Sequence, residues 1–489
     1  MKKIVILGGG TAGWMTAAAL SRFLSDGVRQ ITLVESDEIG IVGVGEATIP
    51  PIRDFNHRLG IDERAFIRET GATVKLGIEF VGWGRQGESY LHPFGKLGHD
   101  FQGVDFHQYW LKHRRGTLGD YWMASHLARE GRFAPPQADP RSPLAGLAYA
   151  FHFDAGLYAK FLRRHSEAQG TKRIEGIVAG VERDQLSGDV TALILADGQR
   201  IEGDFFIDCS GFRSLLLGKE IGTPYIDWSK WLPCDRALAV PSERTDPLLP
   251  ITRSTAMAAG WQWRIPLQHR TGNGLVYSSA HIDDEKAQSH LLAHLDGRPL
   301  GDPRPIRFTA GMRQQFWSHN VVAIGLSSGF IEPLESTSIH LIQTGIARLL
   351  FLFPGADGAA PLRAEYNRIM AEQYEFIRDF IILHYHANQR DDSDFWRDLA
   401  AMELPDSLSE KLELFQAGGR IRHHDHDLFA PHSWAAVLVG QNIHPQGYDP
   451  MVDSMDDAKI CAAMDQIRET YRRTASNQPS HADALSKLG

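Results

Sequence analysis

Two tryptophans, Trp261 and Trp263, stand two residues apart in the string Trp261-Gln262-Trp263-Arg264-Ile265-Pro266. In a β-strand, side chains at this spacing project from the same face. The proline that closes the string stiffens the segment, so the pair predicts a rigid aromatic wall. The spacing alone fits an ordinary amphipathic strand equally well, and other motifs must decide between the two.

The start of the chain predicts a dinucleotide site. Residues 3–7 form a short apolar run typical of a buried parallel strand, residues 8–13 fit G-x-G-x-x-G, and residues 14–23 repeat with helical spacing. The glycines let the backbone approach a pyrophosphate at the helix N-terminus, and the acid that ends the next strand suits a ribose hydroxyl. The predicted cofactor contacts here are Gly8, Gly10, Thr11, Ala12, Gly13 and Glu35.

Two later segments favour FAD over other dinucleotides. Residues 204–211 form an apolar strand that ends in small residues, as where flavoprotein chains return to the nucleotide domain. Residues 321–325 read as a later strand whose glycine-rich end would lie against the flavin. We therefore expect Asp208, Gly325 and Gly329 to contribute to cofactor binding.

A lysine lies in an alternating segment, residues 73–80. Val74, Leu76, Ile78 and Phe80 share one face, the pattern of a half-buried strand. By this pattern alone, Lys75 on the other face is a solvent-facing side chain.

An acidic, hydroxyl-rich segment, residues 332–338, precedes the apolar-periodic run 339–351. Ser336, Thr337 or Ser338 could therefore cap the start of a helix. The unpaired amides and the positive dipole at such an N-terminus would form an anion site. The alternative is a capped helix in which Glu335 is an ordinary acid of the first turn.

Composition narrows the classes of function. The 489 residues carry a net charge of −9 without a basic stripe, so nucleic acid is an unsuitable partner. The three cysteines are far apart and form neither a metal nor a disulfide pattern, which indicates a reducing compartment. No apolar run approaches the length of a membrane span. We expect a cytoplasmic protein with no membrane partner and no metal.

Taken together, the motifs carry a family resemblance. The W-x-W-x-I-P string, the T-V-K-L-G string at residues 73–77, the E-P-L-E-S-T string at residues 332–337 and the glycine-punctuated loop at residues 41–50 occur in order. Over residues 3–396 the chain resembles flavin-dependent halogenases of the tryptophan-halogenase type. The resemblance implies a doubly wound, Rossmann-like α/β FAD domain with inserted strands (residues 1–345) and a mainly helical substrate-binding region (residues 346–489). It also adds Gly45 and Ala47 to the cofactor residues.

The same resemblance implies a mechanism. Reduced FAD and O2 would convert chloride or bromide, held near Thr337 and Ser338, into hypohalous acid. Lys75 would then deliver the halogen to an electron-rich arene, and Glu335 would polarise the oxidant or accept the ring proton. The wall of Trp261 and Trp263 would keep the arene away from the flavin. Ser338 departs from the family pattern, which has glycine there, so halide affinity or preference is expected to differ. Whether Lys75 forms a covalent haloamine is left open.

The resemblance places arene-binding residues in two segments. His92 and Phe94 match a pair that stacks on the indole in tryptophan halogenases. His384 replaces the first of two tyrosines, and Asp391 stands where a glutamate would hold the substrate ammonium. The altered anchors favour indole or a substituted indole over free tryptophan. The predicted substrate residues are His92, Phe94, His384, Tyr385, Asp391, Phe395 and Trp396.

Two alternatives stay open at the level of the sequence. A flavoprotein hydroxylase of the same broad fold would need its substrate beside the flavin, which the tryptophan wall should forbid. A non-catalytic flavin-binding protein would have no need of both Lys75 and Glu335. Because nothing resembles a second NAD(P)H-binding domain, we expect a separate NAD(P)H-dependent flavin reductase as partner. The oligomeric state, a homodimer included, the regiochemistry and the halide preference are left open.

Two C-terminal segments complete the expectations. The polar, histidine-rich run at residues 423–427 is interpreted as a loop rather than a metal site. The tail after Thr474 is interpreted as frayed or disordered.

Overall fold

A computed structural model describes residues 2–38, 45–355, 359–424 and 426–488. Residues 41–44 of the glycine-punctuated loop and Asp425 of the histidine-rich run lie outside the described residues.

Strands and helices alternate through the first two thirds of the chain, and helices dominate the rest. The strands are β1 Lys3–Leu7, β2 Gln30–Glu35, β3 Gly45–Ala47, β4 Thr73–Lys75, β5 Gly77–Val81, β6 Ser89–Pro93, β7 Ala150–Asp154, β8 Lys172–Glu175, β9 Val178–Arg183, β10 Val190–Leu195, β11 Arg200–Glu202, β12 Phe205–Asp208, β13 Tyr225–Asp227, β14 Arg236–Ser242, β15 Thr252–Met257, β16 Gly260–Pro266, β17 Thr271–Tyr277, β18 Arg304–Arg307, β19 Gly311–Arg313, β20 Trp317–Ser318, β21 Val321–Ala323 and β22 Gly329–Phe330. The α-helices are α1 Thr11–Phe23, α2 Pro51–Arg58, α3 Glu63–Thr70, α4 Phe106–His113, α5 Met123–Arg129, α6 Ala155–Ala168, α7 Asp284–Ala293, α8 Ser338–Phe351, α9 Ala359–His386, α10 Asp394–Ala400, α11 Asp406–Gly418, α12 Pro431–Gly440, α13 Asp457–Ser476 and α14 His481–Leu488.

The chain divides into two compact units, and each is built from three segments. Unit 1 comprises residues 1–72, 153–233 and 308–375, and unit 2 comprises residues 73–152, 234–307 and 376–489. The expected boundary near residue 345 does not coincide with this division. The strands that carry Lys75 and the tryptophan wall belong to unit 2 together with most of the C-terminal helices.

Unit 1 has the expected Rossmann-like architecture. Its six-stranded sheet has the order β20-β21-β12-β1-β2-β8, and β1 pairs in parallel with both β2 and β12. Helix α1 joins β1 to β2, which makes a βαβ unit of the kind that binds dinucleotides. Apolar residues of the central strands, among them Val5, Val34 and Phe206, form the core on which this arrangement depends.

Unit 2 is organised around a seven-stranded sheet of order β18-β14-β17-β16-β15-β5-β6. The pattern at residues 73–80 predicts one strand, but the structure has two. Leu76 separates β4, which pairs with β7, from β5, which pairs with β15 and β6. Just after the break β5 packs closely on β6, since a Cβ at Gly77 would lie 2.5 Å from the carbonyl oxygen of His92.

The C-terminal part of unit 2 is helical, as the sequence predicts, but its end differs from the expectation. The tail after Thr474 is not frayed. Helix α13 continues to Ser476, and α14 follows with His481, Ala484 and Leu485 buried. Apolar contacts hold the tail down, and its last helix is too short to show an extended apolar periodicity. Among the described residues, no helix is long and apolar enough to cross a membrane.

Candidate active site

The glycine turn of unit 1 is shaped to receive a pyrophosphate. A Cβ at Gly8, whose φ is +113°, would lie 2.3 Å from the carbonyl oxygen of Cys209, and one at Gly13 would lie 1.8 Å from that of Gly8. A Cβ at Gly10 would meet nothing within 4 Å, so this side of the turn is open. Gly10 is the N-cap of α1, and no side chain caps the helix there. The open, uncapped N-terminus at Thr11 fits a dinucleotide phosphate.

The acid expected to face the ribose stands beside this turn. A Cβ at Gly9 would lie 1.4 Å from Oε2 of Glu35, so the carboxylate covers that glycine. Arg173 Nε donates to Oε1 of Glu35 at 2.6 Å, and Arg163 Nη1 lies 3.7 Å from the same oxygen. The pairing with Arg173 holds the carboxylate in place. No local pattern indicates this arginine, because it comes from strand β8, 138 positions further along the chain.

Asp208, at the end of β12, accepts hydrogen bonds from its own loop. Its Oδ1 accepts hydrogen bonds from the amide and hydroxyl of Ser210, and its Oδ2 accepts from the amides of Leu216 and Leu217, both at 2.9 Å. The buried carboxylate therefore caps the π-helical turn Leu215–Glu220. Both oxygens have intramolecular donors, so Asp208 shapes the loop after β12, and its contribution to cofactor binding stays a prediction.

Gly325 and Gly329 are positions of close approach. A Cβ at Gly325, whose φ is +80°, would lie 2.8 Å from the Cβ of Ala12 in α1. A Cβ at Gly329 would lie 2.7 Å from the carbonyl oxygen of Gly311. The first of these contacts brings the turn after β21 against the start of α1. Gly45 and Ala47, the other two expected cofactor residues, lie buried in β3.

The predicted helix start at residues 336–338 is confirmed, and it is uncapped by side chains. Helix α8 begins at Ser338, with Thr337 as N-cap and no capping hydrogen bond from its side chain. Thr337 is fully buried, and its Oγ1 has no hydrogen-bond partner among the residues that the structure describes. Burial lowers the pKa of His340 to about 4, so this neighbour is neutral near pH 7. An uncapped N-terminus with an unused hydroxyl suits a small anion.

Glu335 lies just before this helix start. It ends the 3-10 turn Pro333–Glu335 and is fully buried. Ser336, with φ at +60°, turns the backbone from Glu335 into α8. Because α8 begins at Ser338, Glu335 lies outside the first turn of that helix.

Lys75 is the last residue of β4 in unit 2, and the expectation of a solvent-facing lysine is wrong. Its side chain is 0% exposed. The ammonium nitrogen lies 5.2 Å from the centre of the Phe94 ring, which offers its electron-rich face to the cation. Alternation along a strand shows which residues share a face, but not whether the second face is covered. In this case the second face is covered, and the ring of Phe94 forms part of the cover.

His152, opposite Thr73 on β7, belongs to the surroundings of Lys75. Burial and, to a smaller extent, the positive charge of Lys75 hold the pKa of His152 well below its usual value. Thr73 Oγ1 donates to the carbonyl oxygen of Pro266 at 2.6 Å, so His152 Nδ1 must donate to Thr73 at 3.0 Å. Nε2 then accepts from the hydroxyl of Thr252 at 2.9 Å. Lys75 is thus flanked by a neutral imidazole in a fixed tautomer.

The predicted tryptophan wall is present in β16. The rings of Trp261 and Trp263 lie on one face with centroids 6.1 Å apart, while Gln262 on the other face donates to the carbonyl oxygen of His294. Gly274 on β17 stands opposite Trp263, and a Cβ there would lie 2.0 Å from the indole. The wall therefore needs a glycine on the neighbouring strand, a requirement that the sequence motif does not reveal.

The expected substrate residues differ in how exposed they are to solvent. His92 and Phe94 are buried, and the ring of His92 contacts those of Phe380 and Phe429. Asp391 is exposed at the turn before α10, and its carbonyl oxygen accepts from Arg397. The remaining predicted residues are fully packed, namely His384, Tyr385, Phe395 and Trp396.

Trp83, which the sequence analysis missed, connects these packed residues to the wall. Its ring lies 5.3 Å from that of Tyr385, 5.4 Å from that of Trp396 and 6.4 Å from that of Trp261. Trp396 Nε1 also donates to the carbonyl oxygen of Met257 at 2.7 Å. The local signal at Trp83 was only a tryptophan between two glycines, which gives no indication of its partners.

Comparison with known proteins decides the family. A family model described as tryptophan halogenase matches residues 3–457. The chain belongs to the tryptophan halogenase family. It is 35% identical to the tryptophan 6-halogenase SttH of Streptomyces toxytricini, over 100% of this chain and 98% of that one. This halogenase therefore has the flavin dependence and fold expected from its motifs, and the hydroxylase alternative is not favoured.

Solved structures of flavin-dependent halogenases agree with this assignment. BrvH from Brevundimonas sp. BAL3 superposes on the halogenase with a TM-score of 0.96 at 47% identity, covering 100% of this chain and 99% of that chain. A flavin-dependent halogenase from Xanthomonas campestris gives a TM-score of 0.96 at 50% identity, with coverage of 100% and 98%.

Proposed function

We propose that this enzyme halogenates an indole or substituted indole, with Lys75 as the residue that carries the halogen to the arene. The observation that supports the proposal is the fully buried Lys75 ammonium above the face of Phe94. A lysine without a catalytic or binding role is rarely buried, because desolvation penalises its charge.

The glycine turn at Gly8–Gly13 and the carboxylate of Glu35 would hold FAD by its pyrophosphate and ribose. When bound and reduced, FAD would supply two of the four electrons that O2 accepts, and chloride or bromide would supply the other two, which gives water and hypohalous acid. The backbone amides after Thr337 and the hydroxyl of that residue would hold the halide. A separate NAD(P)H-dependent flavin reductase would supply the reduced cofactor.

The halogenation step is electrophilic aromatic substitution. Hypohalous acid and the arene react to give the haloarene and water, so the ring gains a halogen and loses a proton. Lys75 would bind the oxidant through its ammonium and present its halogen to the ring carbon. Glu335 would accept the proton that leaves that carbon, and the proton ends on the hydroxide released from the oxidant.

Indole is favoured over free tryptophan by the residues at the expected amino-acid anchors. His384 is packed against Phe80 and Phe380, and its Nδ1 donates to the carbonyl oxygen of Phe380 at 2.7 Å. Asp391, at the position of the ammonium anchor, is exposed. His92 and Phe94 would still offer aromatic faces to an indole. Free tryptophan is the second candidate, because SttH is named as a tryptophan 6-halogenase.

A competition experiment tests both parts of the proposal. The enzyme, FAD, a flavin reductase, NADH and bromide are incubated in air with equimolar indole and tryptophan, and hypobromous acid is trapped in a parallel reaction without arene. We expect brominated indole to exceed brominated tryptophan. The variant Lys75→Ala should still release hypobromous acid while losing the brominated arene. Preference for tryptophan would refute the substrate assignment, and undiminished product from Lys75→Ala would refute the role of the lysine.

A further inference from the structure

The strand that carries Lys75 is held at its outer edge by a side chain from the far end of the chain. In an antiparallel pair, alternate residues turn their amides away from the partner strand. In β4, which pairs with β7, the amide of Val74 donates to Nε2 of His481 at 3.1 Å. A neighbouring strand would normally satisfy such an amide, and here an imidazole does so instead. Val74 directly precedes Lys75.

The hydrogen bonds fix the state of this imidazole. Because Val74 N–H is a donor, Nε2 of His481 must be an unprotonated acceptor. The proton is therefore on Nδ1, which donates to the carbonyl oxygen of Leu248 at 3.0 Å. The ring is fully buried and bridges the backbones of two segments. Both ring nitrogens make hydrogen bonds to the backbone. Any other side chain at this position would lose or lengthen at least one of these two hydrogen bonds.

The C-terminal segment that supplies His481 is firmly anchored within unit 2. The amide of His481 donates to the carbonyl oxygen of Gly131 at 2.8 Å, and the amide of Phe133 donates to that of Pro479 at 3.3 Å. Ala484 and Leu485 of α14 are buried. The segment therefore acts as a brace whose first helical residue reaches β4. The segment is short and polar, and its contact with β4 joins residues 407 positions apart.

We propose that His481 is a positioning residue for Lys75, which makes the C-terminal helix part of the catalytic apparatus. The inference rests on the proposed function of Lys75. Loss of the bond to Val74 would release the edge of β4 one residue before the lysine. A displacement of about 1 Å at a reacting group can cost on the order of 100-fold in rate. Halide oxidation, in which His481 has no part, should continue.

Two substitutions of His481 test its two hydrogen bonds one at a time, because each can keep one bond and not the other. In His481→Gln, the side-chain carbonyl oxygen can reach the position of Nε2 and accept from Val74. In His481→Asn, the shorter amide can replace the donor to Leu248 but cannot reach Val74. Met464→Ala is the control for general destabilisation. Met464 is a fully buried residue of a separate apolar cluster in unit 2.

The quantity to measure is the fraction of hypohalous acid that ends on indole, together with FAD affinity and the unfolding temperature. We expect His481→Asn to lower this fraction by about 10-fold or more, with halide oxidation and FAD affinity near those of the wild type. His481→Gln should recover most of the fraction of hypohalous acid that ends on indole. Met464→Ala should lower the unfolding temperature and leave that fraction unchanged.

The proposal is overturned if His481→Asn keeps the wild-type fraction, if His481→Gln loses as much as His481→Asn, or if Met464→Ala loses as much as either. Lys75→Ala in the same assay distinguishes this failure from failure of the proposed function. If Lys75→Ala retains full coupling of oxidant to product, the role of the lysine itself is wrong, whatever the His481 variants do.

Discussion

Replacement of Thr337 by valine should change stability and halide use in opposite directions. The two side chains have nearly the same shape, and the threonine hydroxyl is buried without a hydrogen-bond partner in the part of the chain that the structure describes. A buried hydroxyl in that state costs about 1–3 kcal/mol. Thr337→Val should therefore raise the free energy of unfolding, measured without halide, by up to about that amount.

The same substitution should weaken halide binding if the hydroxyl faces the anion at the start of α8. A hydrogen bond to a charged group contributes about 1.5–3 kcal/mol, which corresponds to roughly a 10- to 100-fold rise in the halide concentration for half-maximal rate. The assay is bromination of indole at fixed flavin and varied bromide, with urea unfolding monitored in parallel.

Thr344→Val is the matched control, because Thr344 lies further along α8 and its hydroxyl contacts Nε2 of His340 at 3.3 Å. It should neither stabilise the protein nor alter the bromide dependence. A Thr337→Val enzyme that is less stable than the wild type and has an unchanged bromide dependence would refute the reasoning.

Three further predictions follow from buried contacts. The pKa of His481 falls from an ordinary 6.5 to about 4 in the folded protein because the ring is buried, so the unfolded chain takes up the proton first. The neutral ring contributes about 3 kcal/mol to the free energy of unfolding above pH 6.5, and this contribution is lost as the pH falls to 4. In urea unfolding, the free energy of unfolding should therefore fall less steeply between pH 6.5 and 4 in His481→Gln than in the wild type. Equal slopes in the two proteins would contradict this. Gly274→Ala should displace the Trp263 ring and lower the free energy of unfolding by about 1–3 kcal/mol, with altered tryptophan fluorescence as the readout; an unchanged spectrum and stability would be evidence against the wall geometry. Arg173→Gln should release Glu35 and weaken FAD binding about 5-fold in a fluorescence titration, and unchanged affinity would mean that the ion pair does not serve the cofactor.

Local sequence patterns predicted what depends on near neighbours in the chain. The strand, glycine turn and helix at residues 3–23 are confirmed, as are the start of α8 and the shared face of Trp261 and Trp263. Each of these follows from residue types within one or two turns or strands. The family assignment is confirmed for the same reason, since its motifs are short and contiguous.

The features that the sequence did not predict depend on distant contacts. The burial of Lys75 requires coverage of the second face of β4, which alternation cannot report. The tail was misjudged because His481 is ordered by Val74, 407 positions earlier. In both cases the deciding contact lies outside the short stretch that the local pattern describes.

The central claim is that an arene receives halogen through Lys75, and mass spectrometry of the aerobic reaction tests it most directly. Wild-type enzyme and Lys75→Ala are given FAD, a flavin reductase, NADH, bromide and indole, and the products are separated and weighed. The account predicts the bromine isotope doublet on indole with the wild-type enzyme and its disappearance with Lys75→Ala, while FAD binding is retained. A product heavier by one oxygen atom, or a bromine doublet of equal intensity from both proteins, would contradict it.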